Sequence, residues 1–210
     1  GLRGVYLSAS WPPAGARTAI LPSPVDPAPP VADEVAAQLR RAHRLEDKPV
    51  VLFVGKPSLG KGWPLFVDVA KKLDGRADFV HIGPEPVPGD RLWWTIRHVG
   101  VQPHETTLAW MRAADLVMVP SVQADALPRV ALEAQAQGAM VLGSTRGGVP
   151  EAVVSGGIAE PTADAMILEA GLLLAARFYH KRDLTRSMIQ HRFGPEVTAK
   201  LLACYAEVLR

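Results

Sequence analysis

The stretch Val50-Val-Leu-Phe-Val-Gly-Lys-Pro-Ser-Leu-Gly-Lys-Gly-Trp-Pro64 carries the pattern that decides the fold. Its first five residues are apolar and mostly β-branched, which predicts a buried strand. A glycine-rich loop follows and leads into helical spacing over 65–73, with Pro64 in the first turn, a position that proline favours. A strand, a glycine-rich turn and a helix in this order are typical of parallel α/β sheets.

Apolar runs of the same kind recur along the chain and predict further strands. They lie at 18–21, 79–82, 116–119 and 140–142, with a weaker one at 97–101. Helical spacing covers 104–113, 128–137 and a tail from 163 to 210 that breaks near Phe193-Gly-Pro195. This order predicts an α/β, Rossmann-like fold, in which a parallel sheet is covered by helices on both faces. Ligands of such sheets bind beyond the carboxyl ends of the strands.

The composition indicates one globular domain. Of the 210 residues, 48% are hydrophobic and 21% are charged. The 23 basic and 21 acidic side chains are spread along the chain without basic clusters, so nucleic acid is not an expected partner. No apolar run approaches the roughly 20 residues that cross a bilayer, and the start lacks a signal-peptide layout.

The single cysteine and the proline-rich start add two expectations. Cys204 cannot form an internal disulfide, so we expect it to be a small buried group in a reducing, cytoplasmic compartment. Residues 1–30 are rich in proline and glycine, which predicts an extended linker with a strand only at 18–21.

The loop that follows the first core strand almost forms a P-loop. The match to G-x-x-x-x-G-K is complete through Lys61, but Gly62 stands where a Ser or Thr would bind magnesium. The strand at 116–119 ends in Pro120-Ser121 instead of an aspartate that could hold the metal, which argues against a P-loop NTPase. A diphosphate site without a metal remains, built on two lysines, glycines and a helix N-terminus. The alternative is that Lys56 and Lys61 are solvated loop residues.

The segment after the strand at 116–119 holds two acidic residues around a helix start. If Pro128 begins the helix, Asp125 stands just before its N-terminus and Glu133 lies about a turn and a half inside it. Carboxylates of this kind bind vicinal hydroxyls, and amides at the helix start bind phosphates. The alternatives are that Asp125 only caps the helix and that Glu133 is only a partner of the helix dipole or a surface acid.

A third loop, Ser144-Thr-Arg-Gly-Gly-Val-Pro-Glu151, also follows a strand and opens a helix. Its paired glycines alone would indicate only a turn. Together, the three loops predict a site for an anionic or polyhydroxylated ligand at one edge of the sheet.

Taken together, these motifs resemble the C-terminal donor domain of the retaining GT-B glycosyltransferases of family 4. The resemblance runs in order through nearly the whole chain. It includes Leu21-Pro-Ser-Pro-Val-Asp26, Val54-Gly-Lys56 with Lys61-Gly62, Ala114-Asp115, Pro120-Ser121, Asp125 to Glu133 with Ala134 and Gly138, Gly147-Gly148 with Pro150-Glu151, and Tyr205. It implies one half of a GT-B fold, with the donor domain at 18–210 and its C-terminal helices from about 163. Residues 1–17 would be a linker or the trailing edge of an N-terminal domain that lies outside this chain.

The resemblance also implies roles for individual residues. Lys56 and Lys61 would stabilise the donor diphosphate, Glu133 would bind the nucleotide ribose, and Asp125 would face the transferred sugar. The family usually has arginine at the position of Lys56 and glutamate at that of Asp125. The implied donor-binding residues are Gly55, Gly60, Gly62, Ser121, Leu127, Pro128, Arg129, Val130, Gly147, Gly148 and Glu151.

The implied reaction transfers a sugar from a nucleoside-diphosphate sugar to an acceptor, with retention at the anomeric carbon. It needs no metal and no cofactor. The acceptor would bind to the domain outside this chain, so the chain alone would be inactive, and any membrane association would come through that domain. Two alternatives remain. One is a catalytically inactive nucleotide-sugar-binding or scaffolding domain, which the Lys56 and Asp125 departures motivate; the other is a sugar-nucleotide epimerase of related architecture.

Overall fold

The computed structural model describes residues 4–6, 18–20, 30–45, 47–86 and 95–208. Its centre is a six-stranded parallel sheet, which confirms the predicted α/β, Rossmann-like fold. The strands, in their order across the sheet, are β5 (Ile96–His98), β4 (Asp78–Ile82), β3 (Val50–Val54), β6 (Leu116–Val119), β7 (Met140–Ser144) and β8 (Gly156–Ala159). A separate parallel pair joins β1 (Gly4–Tyr6) to β2 (Thr18–Ile20).

Eight α-helices lie in the described part of the chain. They are α1 (Asp33–Ala42), α2 (Trp63–Lys72), α3 (His104–Ala113), α4 (Arg129–Ala136), α5 (Val149–Ala152), α6 (Ala163–Ala176), α7 (Arg182–Phe193) and α8 (Pro195–Val208). The predicted break near residues 193–195 is confirmed between α7 and α8. A second break, which we did not predict, contains a 3-10 turn at Arg177–Tyr179.

The helices cover both faces of the sheet, as predicted. Alternate residues of β3 point to opposite faces, so Val50 and Leu52 belong to one core cluster, whereas Val51 and Phe53 belong to the other. The first cluster is completed by residues of α3, α4 and α7, and the second by residues of α2 and α6. The buried spacing of α2, with Trp63, Phe66, Val67 and Ala70 inside, places one face of this helix against the sheet.

The order of the strands creates a switch point in the middle of the sheet. From β3 the chain proceeds outward through β4 to β5 on one side, and from β6 outward through β7 to β8 on the other. The loops that leave β3 and β6 therefore diverge and leave a crevice between them at the carboxyl ends of the strands.

Several elements differ from the sequence predictions. The helix α1 was not predicted because half of its sequence is polar and only Ala36 is buried. The strand β8 was not predicted because two of its four residues are glycine. The prediction of a single strand within residues 1–30 is wrong, since Gly4–Tyr6 pairs with Thr18–Ile20. Most of the predicted linker, including Leu21–Asp26, lies outside the described residues.

Two further observations concern the surroundings of the fold. Cys204 is half-buried, so the prediction that it would be buried is wrong; it lies on α8, the last helix of the chain, where one side faces solvent. Within the ranges that the structure describes, no helix is long and apolar enough to cross a membrane.

Candidate functional site

A cleft of about 340 Å³ opens at the switch point of the sheet. Its floor is formed by the ends of β3 and β6, and its walls by the loops that follow these strands. The lining residues are Phe53, Val54, Gly55, Lys61, Met118, Val119, Ser121, Asp125, Leu127, Pro128, Arg129 and Val130. An apolar floor with a few convergent polar groups is the usual composition of a small-molecule site.

The loop at 55–62 is fixed by its glycines against the loop that follows β6. Gly62 has a φ of 73° and a side chain there would overlap the Pro120 carbonyl, so the backbones of the two loops are in direct contact at this point. The carbonyl of Gly60 also accepts hydrogen bonds from the amides of Val122 and Gln123, at 3.0 and 3.1 Å. These contacts hold the first two predicted loops together at one edge.

The third predicted loop packs against the backbone of the second loop. The amide of Gly148 donates to the Asp125 carbonyl at 2.6 Å. Gly147 has a φ of 56°, and a side chain on it would collide with the Asp125 backbone. The paired glycines therefore position the Asp125 backbone rather than line the cleft.

Lys61 and Asp125 form an ion pair across the two loops. Lys61 Nζ lies 2.7 Å from Asp125 Oδ2, and the side chains are 55% and 22% exposed. Both residues also line a smaller adjoining cavity of about 200 Å³, together with Gly60 and Ser121. The ion pair thus lines both cavities, and a molecule bound in either can contact both charges.

The N-terminus of α4 opens onto the cleft. Pro128 occupies the N-cap position, and no side chain of the described residues caps the helix. The first amides of a helix have no partner inside it and carry a partial positive charge. The prediction that the helix starts near Pro128 is confirmed, and Asp125 does not cap it.

Glu133 lies one turn further along α4, outside the cleft lining. Its carboxylate accepts hydrogen bonds from Arg129 Nε and Nη2 at 3.3 and 3.1 Å. The Glu133 side chain is 19% exposed, whereas that of Arg129 is 69% exposed. Arg129 therefore lines the cleft and also binds Glu133.

The predicted site residues divide into three groups. Eight line the cleft: Gly55, Lys61, Ser121, Asp125, Leu127, Pro128, Arg129 and Val130. Gly60, Gly62, Gly147 and Gly148 shape or connect the loops around it. Lys56, which is exposed, Glu133 and Glu151 are not among its lining residues.

Sequence analysis missed the residues of the cleft floor and one group behind it. Phe53, Val54, Met118 and Val119 belong to predicted strands, and only the strand order shows that their ends meet. His81 is fully buried behind the loop at 55–62, and its Nε2 lies 2.9 Å from the Gly55 carbonyl oxygen. Burial lowers the pKa of His81 below 6.5, its hydrogen bond to Gly55 opposes this shift, and His98 lowers the pKa further.

No group of three or more His, Cys, Asp or Glu side chains is placed to hold a metal ion within the described ranges. The polar groups that converge on the cleft are one lysine, one aspartate, one arginine, a serine and backbone amides. This set can bind an anion together with hydroxyl groups.

Comparison with known proteins identifies the family. The family model described as "Glycosyl transferases group 1" matches residues 48–177, which is more than half of the chain and includes all three loops. The chain belongs to this family. No curated protein sequence matches this glycosyltransferase domain.

Solved glycosyltransferase structures share the fold of this domain. Sucrose-phosphate synthase from Thermosynechococcus elongatus superposes with a TM-score of 0.81 at 22% identity over 98% of this chain. Anabaena HepE in complex with UDP gives 0.78 at 14% identity over 91%, and a glycosyltransferase from Rickettsia africae gives 0.77 at 17% identity over 92%. The match covers 58% of each of these three chains, so this chain corresponds to somewhat more than half of such a protein. Its sheet is one half of a GT-B fold.

Proposed function

We propose that this glycosyltransferase domain binds the donor, a nucleoside-diphosphate sugar, for a retaining GT-B enzyme. The enzyme would transfer the sugar to an acceptor held by a domain outside these 210 residues. One observation carries the proposal: Lys61 and the uncapped N-terminus of α4 converge on one cleft at the switch point of the sheet. A diphosphate is the ligand that this combination fits best.

Lys61 would bind the diphosphate without releasing Asp125. An ammonium group has three donors, and the pair with Asp125 at 2.7 Å uses one of them. Two donors can therefore face phosphate oxygens in the cleft. The cation between the diphosphate and the Asp125 carboxylate also reduces the repulsion between the two anions.

The same groups would act on the rate of the reaction. Negative charge develops on the departing diphosphate as the sugar ring becomes oxocarbenium-like. A fixed cation and helix-end amides bind that charge better in the transition state than in the ground state, which lowers the barrier. Loss of one such donor commonly costs about 3 kcal/mol. This scheme uses no metal and no cofactor.

The carboxylates would bind hydroxyl groups of the donor. Asp125 faces the cleft and has a second oxygen that can accept from a sugar hydroxyl. Glu133 would bind the ribose once Arg129, 69% exposed, swings from Glu133 toward the diphosphate. In this role Arg129 would supply a second cation.

Structural relatives support a nucleotide ligand. Anabaena HepE, whose fold superposes on this chain, was solved with UDP, with UDP and glucose, and with UDP-glucose. Since the chain spans little more than half of such proteins, we expect it to bind nucleotide but not to transfer sugar alone. A cytoplasmic location stays a prediction from the cysteine content.

A calorimetric screen tests the proposal. UDP, GDP, ADP and their sugars are titrated into the chain in the presence of a chelator, and again with Lys61→Ala and Glu133→Ala. We expect at least one nucleotide to bind without magnesium and both substitutions to weaken it. Lys71→Ala is the matched control, because Lys71 lies on the surface of α2 and, among the described residues, pairs with Asp68. Binding that requires magnesium, or that neither site substitution changes, contradicts the proposed site.

A second candidate is a binding or scaffolding domain of the same family without turnover. Two observations favour it: Lys56 is exposed outside the cleft, and Asp125 is one methylene shorter than the usual glutamate. A full-length protein that binds a nucleotide sugar but neither transfers nor hydrolyses it would support this candidate. Conversion of a nucleotide sugar to its epimer without acceptor would instead indicate an epimerase.

A further inference from the structure

A pair of histidines on adjacent strands lies behind the loop at 55–62. His81 on β4 and His98 on β5 are register partners in the parallel sheet. Their Nδ1 atoms are 2.9 Å apart, and His81 Nε2 lies 2.9 Å from the Gly55 carbonyl oxygen. His81 is completely buried beside the rings of Trp63 and Phe53, with centroids 4.7 and 5.7 Å away. The mechanism above gives neither histidine a role.

The partners determine where the protons are. A carbonyl oxygen only accepts, so His81 Nε2 must carry a hydrogen and donate it to Gly55. In a neutral ring, Nδ1 then has no hydrogen and accepts from His98 Nδ1–H. If Nδ1 of His81 carried the hydrogen instead, the Nε2 lone pair would face the lone pairs of the Gly55 carbonyl oxygen, and the hydrogen bond to Gly55 would be lost. The result is a directed chain of hydrogen bonds from His98 through His81 to Gly55.

These hydrogen bonds fix one peptide group at the edge of the cleft. Gly55 has a φ of 140°, and its own amide donates to the Ile82 carbonyl at 2.8 Å. No described peptide bond is cis, and in a trans peptide the C=O and the following N–H point in opposite directions. Because His81 holds the Gly55 carbonyl on the core side, the N–H of Lys56 points outward. Gly55 lines the cleft, so this donor is next to it.

We propose that His81 and His98 are positioning residues that orient the Gly55–Lys56 peptide so that its N–H can bind the donor diphosphate. This inference rests on the proposed function. It assigns to the Lys56 backbone the contact that the family resemblance gave to the Lys56 side chain, which is exposed and outside the cleft lining.

Burial disfavours an additional proton on His81 and so preserves the hydrogen bonds of the pair. His81 faces His98 from β5, Trp63 from α2, and Phe53 and Gly55 from β3 and its loop. His98 itself lines a separate, third cavity with His43, Arg97 and Gln102. Burial lowers the pKa of His81. A proton added to His81 Nδ1 would set two N–H groups against each other and break this chain of hydrogen bonds.

Imidazole ¹⁵N spectra combined with UDP calorimetry test the proposal. We expect His81 in the wild-type protein to show the Nε2–H tautomer. His98→Leu removes the donor to Nδ1; we expect a mixture of His81 tautomers, a shifted Gly55 carbonyl resonance and UDP binding weakened about three- to tenfold. His98→Asn has an amide nitrogen near the position of Nδ1 and should restore both the tautomer and the affinity to within about twofold. Lys71→Ala, on the surface of α2, is the control and should retain the affinity to within about twofold.

Each result decides the proposal. A wild-type Nδ1–H tautomer overturns it, as does a folded His98→Leu protein with unchanged spectra and unchanged affinity. If His98→Leu does not fold, the wild-type spectrum and the behaviour of His98→Asn still decide. If the wild-type protein binds no nucleoside diphosphate, the proposed function fails, and so does the proposed contact of the Lys56 N–H with the diphosphate. The spectra decide separately whether the hydrogen bonds from His98 through His81 to Gly55 exist.

Discussion

An aspartate lies at each end of the parallel sheet, and the two differ in how many protein groups they bind. At the amino end, Asp115 Oδ2 accepts from the Val50 amide at 2.8 Å and from Arg40 at 3.1 Å, and Asp115 Oδ1 lies 3.7 Å from Arg182. At the carboxyl end, Asp125 is bound by Lys61 alone among described side chains, and Lys61 is 55% exposed.

The surroundings of these charges differ as well. Arg182 also donates to the carbonyls of Arg112 and Ala114, at 2.9 and 2.8 Å, so the amino-end arginines satisfy backbone groups. The carboxyl end instead has an uncapped helix and an open cleft. Charges that bind several protein groups stabilise the fold, whereas charges with remaining hydrogen-bonding capacity are available for a ligand.

The largest expected effect is a difference in stability between variants of Asp115 and Asp125. Asp115→Ala leaves the Val50 amide without its acceptor and removes the carboxylate partner of Arg40 and Arg182, and we expect it to lower the free energy of unfolding by about 2–4 kcal/mol. Asp125→Ala removes a partly exposed pair and should lower it by less than about 1 kcal/mol. Urea unfolding of both variants measures the difference. Equal losses would remove the distinction between the two ends.

The next largest effect is a difference in UDP affinity between variants of two lysines of the same loop. Lys61→Ala should weaken UDP binding about 10- to 100-fold, because it removes a charged donor inside the cleft. Lys56→Ala should change it about threefold or less, because that side chain is exposed outside the cleft lining. Calorimetric titration of both variants with UDP measures the difference. A larger loss in Lys56→Ala would favour the role that the family resemblance gave to this side chain.

A smaller effect tests the support behind Asp125. Gly147→Ala places a side chain at a φ of 56° and against the Asp125 backbone, so we expect a loss of about 1–2 kcal/mol in unfolding free energy. UDP binding should also weaken. Gly171→Ala on α6 is the control, since nothing lies within 4 Å of the added carbon; this change should stabilise the chain by about 1 kcal/mol. Stabilisation by both substitutions would contradict the contact between the loops.

The smallest effect concerns pH. The pKa values of His81 and His43 are lowered below 6.5, chiefly by burial, so the unfolded chain binds more protons than the folded chain as the pH falls below that value. The free energy of unfolding should therefore decrease between pH 7 and pH 5. His81→Gln retains a donor for Gly55 but cannot titrate, and its stability should decrease less over this interval. An identical pH dependence in both proteins would show that His81 does not contribute.

Much of the fold could be predicted from the sequence because its signals are local. The apolar runs at 50–54 and 116–119 and the glycine-rich loop between 55 and 62 determine strands and turns by themselves. Helix α1 could not be predicted this way, because only Ala36 of this helix is buried. Packing against α3 holds it, together with ion pairs such as Asp33 with Arg112 and Arg40 with Asp115.

The site was predictable in position but not in detail. Lys61, Asp125 and Pro128 follow from motifs, and the parallel strands bring them to one edge. The contact of Gly147 with the Asp125 backbone depends on two distant loops. The pairing of His81 with His98 depends on the register of two strands, which the sequence pattern does not determine.

The central claim is that the carboxyl-end cleft binds a diphosphate through Lys61, the loop at 55–62 and the start of α4. Backbone amide NMR of the chain, titrated with UDP and separately with inorganic pyrophosphate, tests it most directly. We expect both ligands to shift the amides of 55–62, Arg129 and Val130, while the amides around Asp115 and Arg182 stay unchanged. Shifts confined to the amino end of the sheet, or no shifts with either ligand, would contradict the claim.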